Sequence, residues 1–111
     1  MKIEKLTYPM PPEYLKEVFK KSTAEFDLQF GTVFLEKGTR IPEKDWTRHD
    51  QTKIVYIVSG KTHLFIEKDP DFKQLVQSGD SFMVEKNEAH RGEVIADTQL
   101  IFVLFGKKEL E

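Results

Sequence analysis

The 111-residue sequence predicts an all-β domain, a sandwich or barrel, preceded by one short helix. Three observations carry this reading. Short runs rich in β-branched and aromatic residues recur with turn signals at spacings of about 8–12 residues, as in sandwiches and barrels. Strand patterns do not alternate with helical ones, which argues against a parallel α/β sheet. A composition that is 39% hydrophobic and 12% aromatic, with nine phenylalanines, supplies the core of one ordinary domain.

The first 25 residues differ from the rest. Met1 to Tyr8 reads as an edge strand or a loose arm. Pro11 and Pro12 suit a first helical turn, and Glu13 follows where negative charge meets the helix dipole. Tyr14, Leu15, Val18 and Phe19 then recur at helical spacing, with Lys20 and Lys21 at the expected end, so a helix of about two turns is predicted here.

From Phe26 the texture is that of strands, and residues 26–106 form the predicted barrel. Phe26–Leu35 is the first strand, interrupted at Gly31 and closed by Gly38. Lys53–Ser59 is rich in β-branched residues and ends at Gly60; Thr62–Glu67 follows, stopped by the turn cluster Asp69-Pro70-Asp71. Phe72 to Gln77 leads into a second turn at Ser78-Gly79-Asp80. Ser81–Glu85 is a short strand, and Gln99–Phe105 a long apolar one ended by Gly106. Residues 107–111 form a charged tail with no assigned role.

Composition also restricts function. The absence of cysteine excludes disulfides, thiolate metal sites and cysteine nucleophiles. A net charge of −2, with only Arg40, Arg48 and Arg91 as arginines, argues against nucleic-acid binding. No apolar run approaches the ~18 residues needed to cross a bilayer, and no basic-then-apolar leader opens the chain, so no membrane association and a cytoplasmic location are expected. The partner implied is a small molecule or another protein.

Two stretches carry chemistry. The segment from Gly38 to Gly60, ending in Val-Tyr-Ile-Val-Ser-Gly, and the segment Gly79-Asp80-Ser81-Phe82-Met83-Val84-Glu85-Lys86-Asn87-Glu88-Ala89-His90 together resemble the two motifs of the cupins, over about residues 26 to 105. The resemblance implies a jelly-roll β-barrel. It also implies a divalent metal (Mn, Ni, Zn or Fe) held by three imidazoles and a carboxylate in members with the full set. Counting back from Gly60, the family's Glu falls on Lys53, its second His on His49 and its first on Thr47, while His90 takes the second-motif position. Only His49 and His90 therefore remain as candidate metal ligands. In the second motif the usual Pro falls on Glu85 and the second Gly on Asn87.

Alternation along a strand would put Thr47, His49, Gln51 and Lys53 on one face. A protonated lysine has no lone pair, and at 4 Å and an effective dielectric of 20 it repels a cation by ~4 kcal/mol per unit of cation charge. Zinc, for example, usually takes at least three protein ligands. Asp50, Gln51 or Glu88 could complete a metal set only from outside the family pattern. Read without a metal, Thr47, His49, Gln51, Lys53 and His90 form a donor-rich pocket with one uncompensated cation, suited to a small carboxylate, phosphate or oxygenated compound. A buried lysine can also lose its proton and act as a base or Schiff-base nucleophile.

Bland readings stand beside these: His49 as a loop histidine, His90 as a turn-bonding one, Lys53 as a solvated or salt-bridged side chain. His63 is read as a surface or inter-sheet residue. Trp46 is read as packing or as a pocket wall. Three functions follow from the resemblance and the departures. The first is a cupin binding a small polar or anionic molecule with no cofactor. The second is a metal-dependent cupin enzyme of dioxygenase or isomerase type, using His49 and His90 with further ligands. The third is a structural or partner-binding barrel with a filled centre. A homodimer is expected, because sheet edges must be hidden and Met1–Tyr8 could be lent to a neighbour.

Overall fold

The computed structural model describes residues 1–108 and contains, among them, seven strands and no helix. They are β1 (Leu15–Ser22), β2 (Phe26–Leu35), β3 (Arg40–Ile41), β4 (Thr52–Ile66), β5 (Asp69–Gln77), β6 (Ser81–Val84) and β7 (His90–Lys107). All pairings are antiparallel.

The predicted N-terminal helix is absent. Leu15–Ser22 is instead the edge strand β1, paired with β2 from Leu15↔Val33 to Ser22↔Asp27. A two-turn helix is marginal by itself. Lying against β2, the same residues satisfy a row of backbone donors and acceptors that would otherwise be left open at a sheet edge. Gly31 permits the approach: a Cβ there would meet the Lys16 carbonyl oxygen at 2.3 Å and the Phe102 ring at 2.9 Å. Met1–Tyr8 forms no strand. Its Thr7 carbonyl accepts a hydrogen bond from the Thr32 hydroxyl at 2.7 Å, so this part of the arm lies on the chain's own sheet.

Two long strands, β4 and β7, organise the jelly roll. Sequence reading expected two strands separated at Gly60 and a last strand beginning near Gln99. The structure shows β4 running through Gly60, and β7 beginning at His90. Each long strand serves two walls. In one, β1, β2, the end of β7 (Thr98–Lys107), the start of β4 and β6 lie side by side. In the other, β3, the start of β7, the end of β4 and β5 do so. The register shifts repeatedly between Ile57 and Thr62, where extra residues bend the strand from one wall to the other. Gly60, at φ 98°, sits at that bend with no room for a side chain. Thr62 and Thr98, both buried, pair their hydroxyls across it at 3.2 Å.

The turn assigned to Asp69-Pro70-Asp71 lies slightly earlier, at Glu67-Lys68, with Ile66 opposite Asp69. Pro70 belongs to β5, an edge strand on which a missing N–H costs no ladder bond. Of the expected tail, Lys107 ends β7 and residues 109–111 lie outside the described residues.

Inward-facing residues of both walls form the core: Val33, Leu35, Val55, Ile57, Val76, Val94, Leu100 and Phe102. Full burial of such side chains contributes roughly 1.5–3 kcal/mol each. Among the described residues no helix is long and apolar enough to cross a membrane.

Candidate functional site

The inward row of β4 reads Lys53, Val55, Ile57. Val55 and Ile57 are 2% and 1% exposed, whereas their outward neighbours Ile54 and Tyr56 are 42% and 47% exposed. Strict alternation therefore places Lys53 on the core side, where an aliphatic residue would be ordinary. The interior is not packed solid. A cavity of about 210 Å³ lies between the walls, and Thr47, His49, Lys53 and His90 line it together with apolar residues such as Val55, Leu64, Phe82 and Leu100.

The structure thus brings four of the five expected site residues to one cavity. Gln51 is the exception. A bend at Asp50-Gln51 breaks the alternation that would have carried it inward. Its side chain packs outside, within 3.5 Å of where a Cβ on Gly106 would stand.

His49 and His90 come from different elements and meet because the loop before β4 is fastened to the start of β7. Thr47 and His90 exchange two backbone hydrogen bonds of 3.0 Å, and Asn87 N–H donates to the His49 carbonyl at 2.7 Å. The two rings then stand 5.4 Å apart between centroids, tilted by 44°. Asn87, in the place of the family's second Gly, adopts φ 63°, a left-handed conformation that asparagine tolerates better than most residues.

A further clamp was not legible in the sequence. The Arg91 guanidinium lies 4.7 Å from the Trp46 ring centre and 4.3 Å from that of Phe65. Trp46 does not line the cavity. It is the tie that holds the loop carrying Thr47 and His49. His63 is also absent from the lining, on the β4 face opposite Thr62 and Leu64.

Charge inside the cavity is one-sided. The Lys53 ammonium stands 5.3 Å from the centre of the Phe102 ring. No carboxylate among the described residues lies within ion-pair distance of it. Burial lowers its pKa from the ordinary 10.5. His49 is lowered from 6.5 chiefly by burial, then by the Lys53 charge and by His90, with Asp50 opposing. His90 is lowered chiefly by burial; its bond to the Glu88 carbonyl opposes this, and Lys53 adds to it. That bond, 2.9 Å from His90 Nδ1, fixes the tautomer. A carbonyl can only accept, so Nδ1 carries the proton and the neutral ring keeps its lone pair on Nε2.

A resident divalent metal does not fit this donor set. Among the described residues no group of three or more His, Asp or Glu is placed to hold one. The candidates that could have completed the set are engaged elsewhere or misplaced. Glu88 pairs with Lys68 at 3.3 Å, Gln51 faces outward and Asp50 is exposed. What occupies the remaining position is a cation.

Comparison with known proteins agrees with this architecture. The family model described as "Cupin domain" matches residues 31–107. No curated protein matches the chain. Among solved structures, a Ralstonia eutropha JMP134 protein described provisionally as a mannose-6-phosphate isomerase aligns with a TM-score of 0.72 at 20% identity, over 89% of each chain. KdgF from a Halomonas species aligns with a TM-score of 0.62 at 21% identity, over 86% of this chain and 78% of that one. An RmlC-like cupin from Shewanella frigidimarina NCIMB 400 gives 0.60 at 15% identity, over 95% of each. With two thirds of its length matched by the family model and its walls arranged as a jelly roll, the chain belongs to the cupin family.

Proposed function

We propose that this cupin binds a small molecule with an anionic or oxygen-rich head and an apolar body, and that the Lys53 ammonium takes the place of the family's metal as the charge that receives the head. The single observation carrying this reading is the position of Lys53: on the inward row of β4, against Phe102, with no acidic partner among the described residues. A buried cation with no counter-ion is unfavourable in the free protein. An anion that enters the cavity neutralises it and gains a charge-assisted hydrogen bond. His90 Nε2 and the His49 ring flank the head, Thr47 adds a hydroxyl, and the aliphatic wall receives the body.

Hexanoate and hexanol form the test pair, since they share a body and differ in the head. Thermal unfolding at neutral pH should show stabilisation by hexanoate that exceeds that by hexanol. Lys53→Met should abolish the difference. Equal stabilisation by the two, or none by hexanoate, contradicts the proposal.

A further inference from the structure

Anion binding leaves one capacity of Lys53 unused. A buried amine that loses its proton is a nucleophile, and the cavity has the other parts that amine chemistry needs. Lys53 Nζ lies over a fully buried aromatic ring, in a space lined largely by aliphatic residues. Among the described residues no carboxylate is close enough to hold the ammonium in its charged form. Two imidazoles line the same cavity, 5.4 Å apart. His90 spends its Nδ1 proton on the Glu88 carbonyl and keeps an unprotonated Nε2. Burial favours the neutral form of both rings, the form able to take a proton and return it.

We propose that Lys53 forms a reversible imine with small aldehydes and ketones of apolar body, and that His49 and His90 carry the protons of the condensation. The Nζ lone pair adds to the carbonyl carbon, a C–N bond forms, and the C=O π pair moves onto oxygen. An imidazole takes a proton from nitrogen and delivers it to that oxygen, giving the carbinolamine. A second proton follows the same route as the C–O bond breaks, so that water leaves and the C=N bond closes. One carbonyl compound and one amine give one imine and one water, with no oxidant or reductant. Water reverses the step. This inference rests on reading the cavity as a small-molecule site and deepens it by naming an electrophilic class of ligand.

The test labels the native protein. Butanal and cyanoborohydride are added at neutral pH, because that reductant converts an iminium to a stable secondary amine, and the labelled lysines are mapped by peptide mass. The expected result is one butyl group on Lys53 before any other lysine, with that labelled peptide lost in Lys53→Arg. His49→Ala and His90→Ala should each slow labelling of Lys53, and labelling at the native rate in both variants would remove the imidazoles from the proton transfers. Labelling of Lys53 no faster than that of exposed lysines such as Lys44 overturns the proposal, and does so independently of variant folding. Hexanoate cannot form an imine, so the two readings separate. Hexanoate binding with an unlabelled Lys53 overturns the imine alone. Prompt labelling of Lys53 without hexanoate binding supports the imine and removes the anion reading.

Discussion

Thr47 and His90 donate a backbone hydrogen bond to each other, both at 3.0 Å, and this pair sets the distance between the two imidazoles of the cavity. The loop that carries His49 has no regular structure between β3 and β4 apart from this bridge. Thr47→Pro removes one of the two donors while keeping a residue of similar size. It should lower stability by at least about 1 kcal/mol, the net worth of one such bond, and should weaken hexanoate binding both by letting His49 drift from His90 and by removing the Thr47 hydroxyl. Calorimetry on native and variant protein checks both effects.

Arg91 should prove to be a fastener. Each of its two ring contacts is worth roughly 0.5–1 kcal/mol, so Arg91→Ala is expected to cost about 1–2 kcal/mol of stability. Arg91 Nε is buried without a partner, a feature that the substitution relieves and that holds the cost toward the lower figure. Trp46 is the only tryptophan. Its emission should shift to longer wavelength in the variant as the loop loosens, and an unchanged spectrum would mean that the stack does not hold the loop.

The bend in β4 predicts a severe variant. A Cβ on Gly60 would stand 2.3 Å from the Asp97 carbonyl oxygen and 2.5 Å from the Thr98 Cα, both backbone atoms, and the residue's φ of 98° strains any other side chain. Gly60→Ala should destabilise by about 3 kcal/mol or more, by steric overlap and by backbone strain. Denaturant unfolding measures it.

The histidines predict the response to acid. Both His49 and His90 have folded pKa values lowered from 6.5, so the unfolded chain binds more protons once the pH falls toward that value. Stability therefore rises with pH across the window below 6.5 and is lost as the pH falls through it. His49→Gln with His90→Gln should flatten this part of the profile.

Lys53, also lowered, behaves likewise at the alkaline end. Stability should rise as the pH climbs from its folded value toward 10.5, where the unfolded lysine gives up its proton. Lys53→Met should remove that rise. At neutral pH it should stabilise the protein by about 1 kcal/mol, since an apolar residue of similar volume replaces a buried cation. A destabilised Lys53→Met would show that the lysine is held by favourable contacts and is not waiting for an anion.

Much of the barrel was legible because alternation is a strong local signal. Lys53–Ser59 lies within β4, Ser81–Glu85 runs one residue past β6, and the Gly-Asp…His order places His90 near the site. The N-terminal helix misled because Leu15, Val18 and Phe19 suit either period, and only the neighbouring β2 decides between them. The start of β7 has little local signal because His90–Glu93 is polar and contains Gly92, which leaves only the short run Val94–Ala96; its partners in the end of β4 make it a strand. Counting in twos places Gln51 with the site residues, and the bend at Asp50-Gln51 defeats that count. The clamp of Arg91 on Trp46 joins residues far apart in sequence and has no local signature.

Titrating hexanoate and Mn²⁺ separately into the native chain and into Thr47→His/Lys53→Glu asks whether the Lys53 ammonium, in place of a metal, is the charge that receives an anion in the cavity. The double variant completes three imidazoles and a carboxylate around the cavity. The native chain should bind hexanoate with little affinity for Mn²⁺, and the variant should reverse both. Equal Mn²⁺ affinity in the two proteins, or tight stoichiometric metal in the native one, would contradict that role of Lys53.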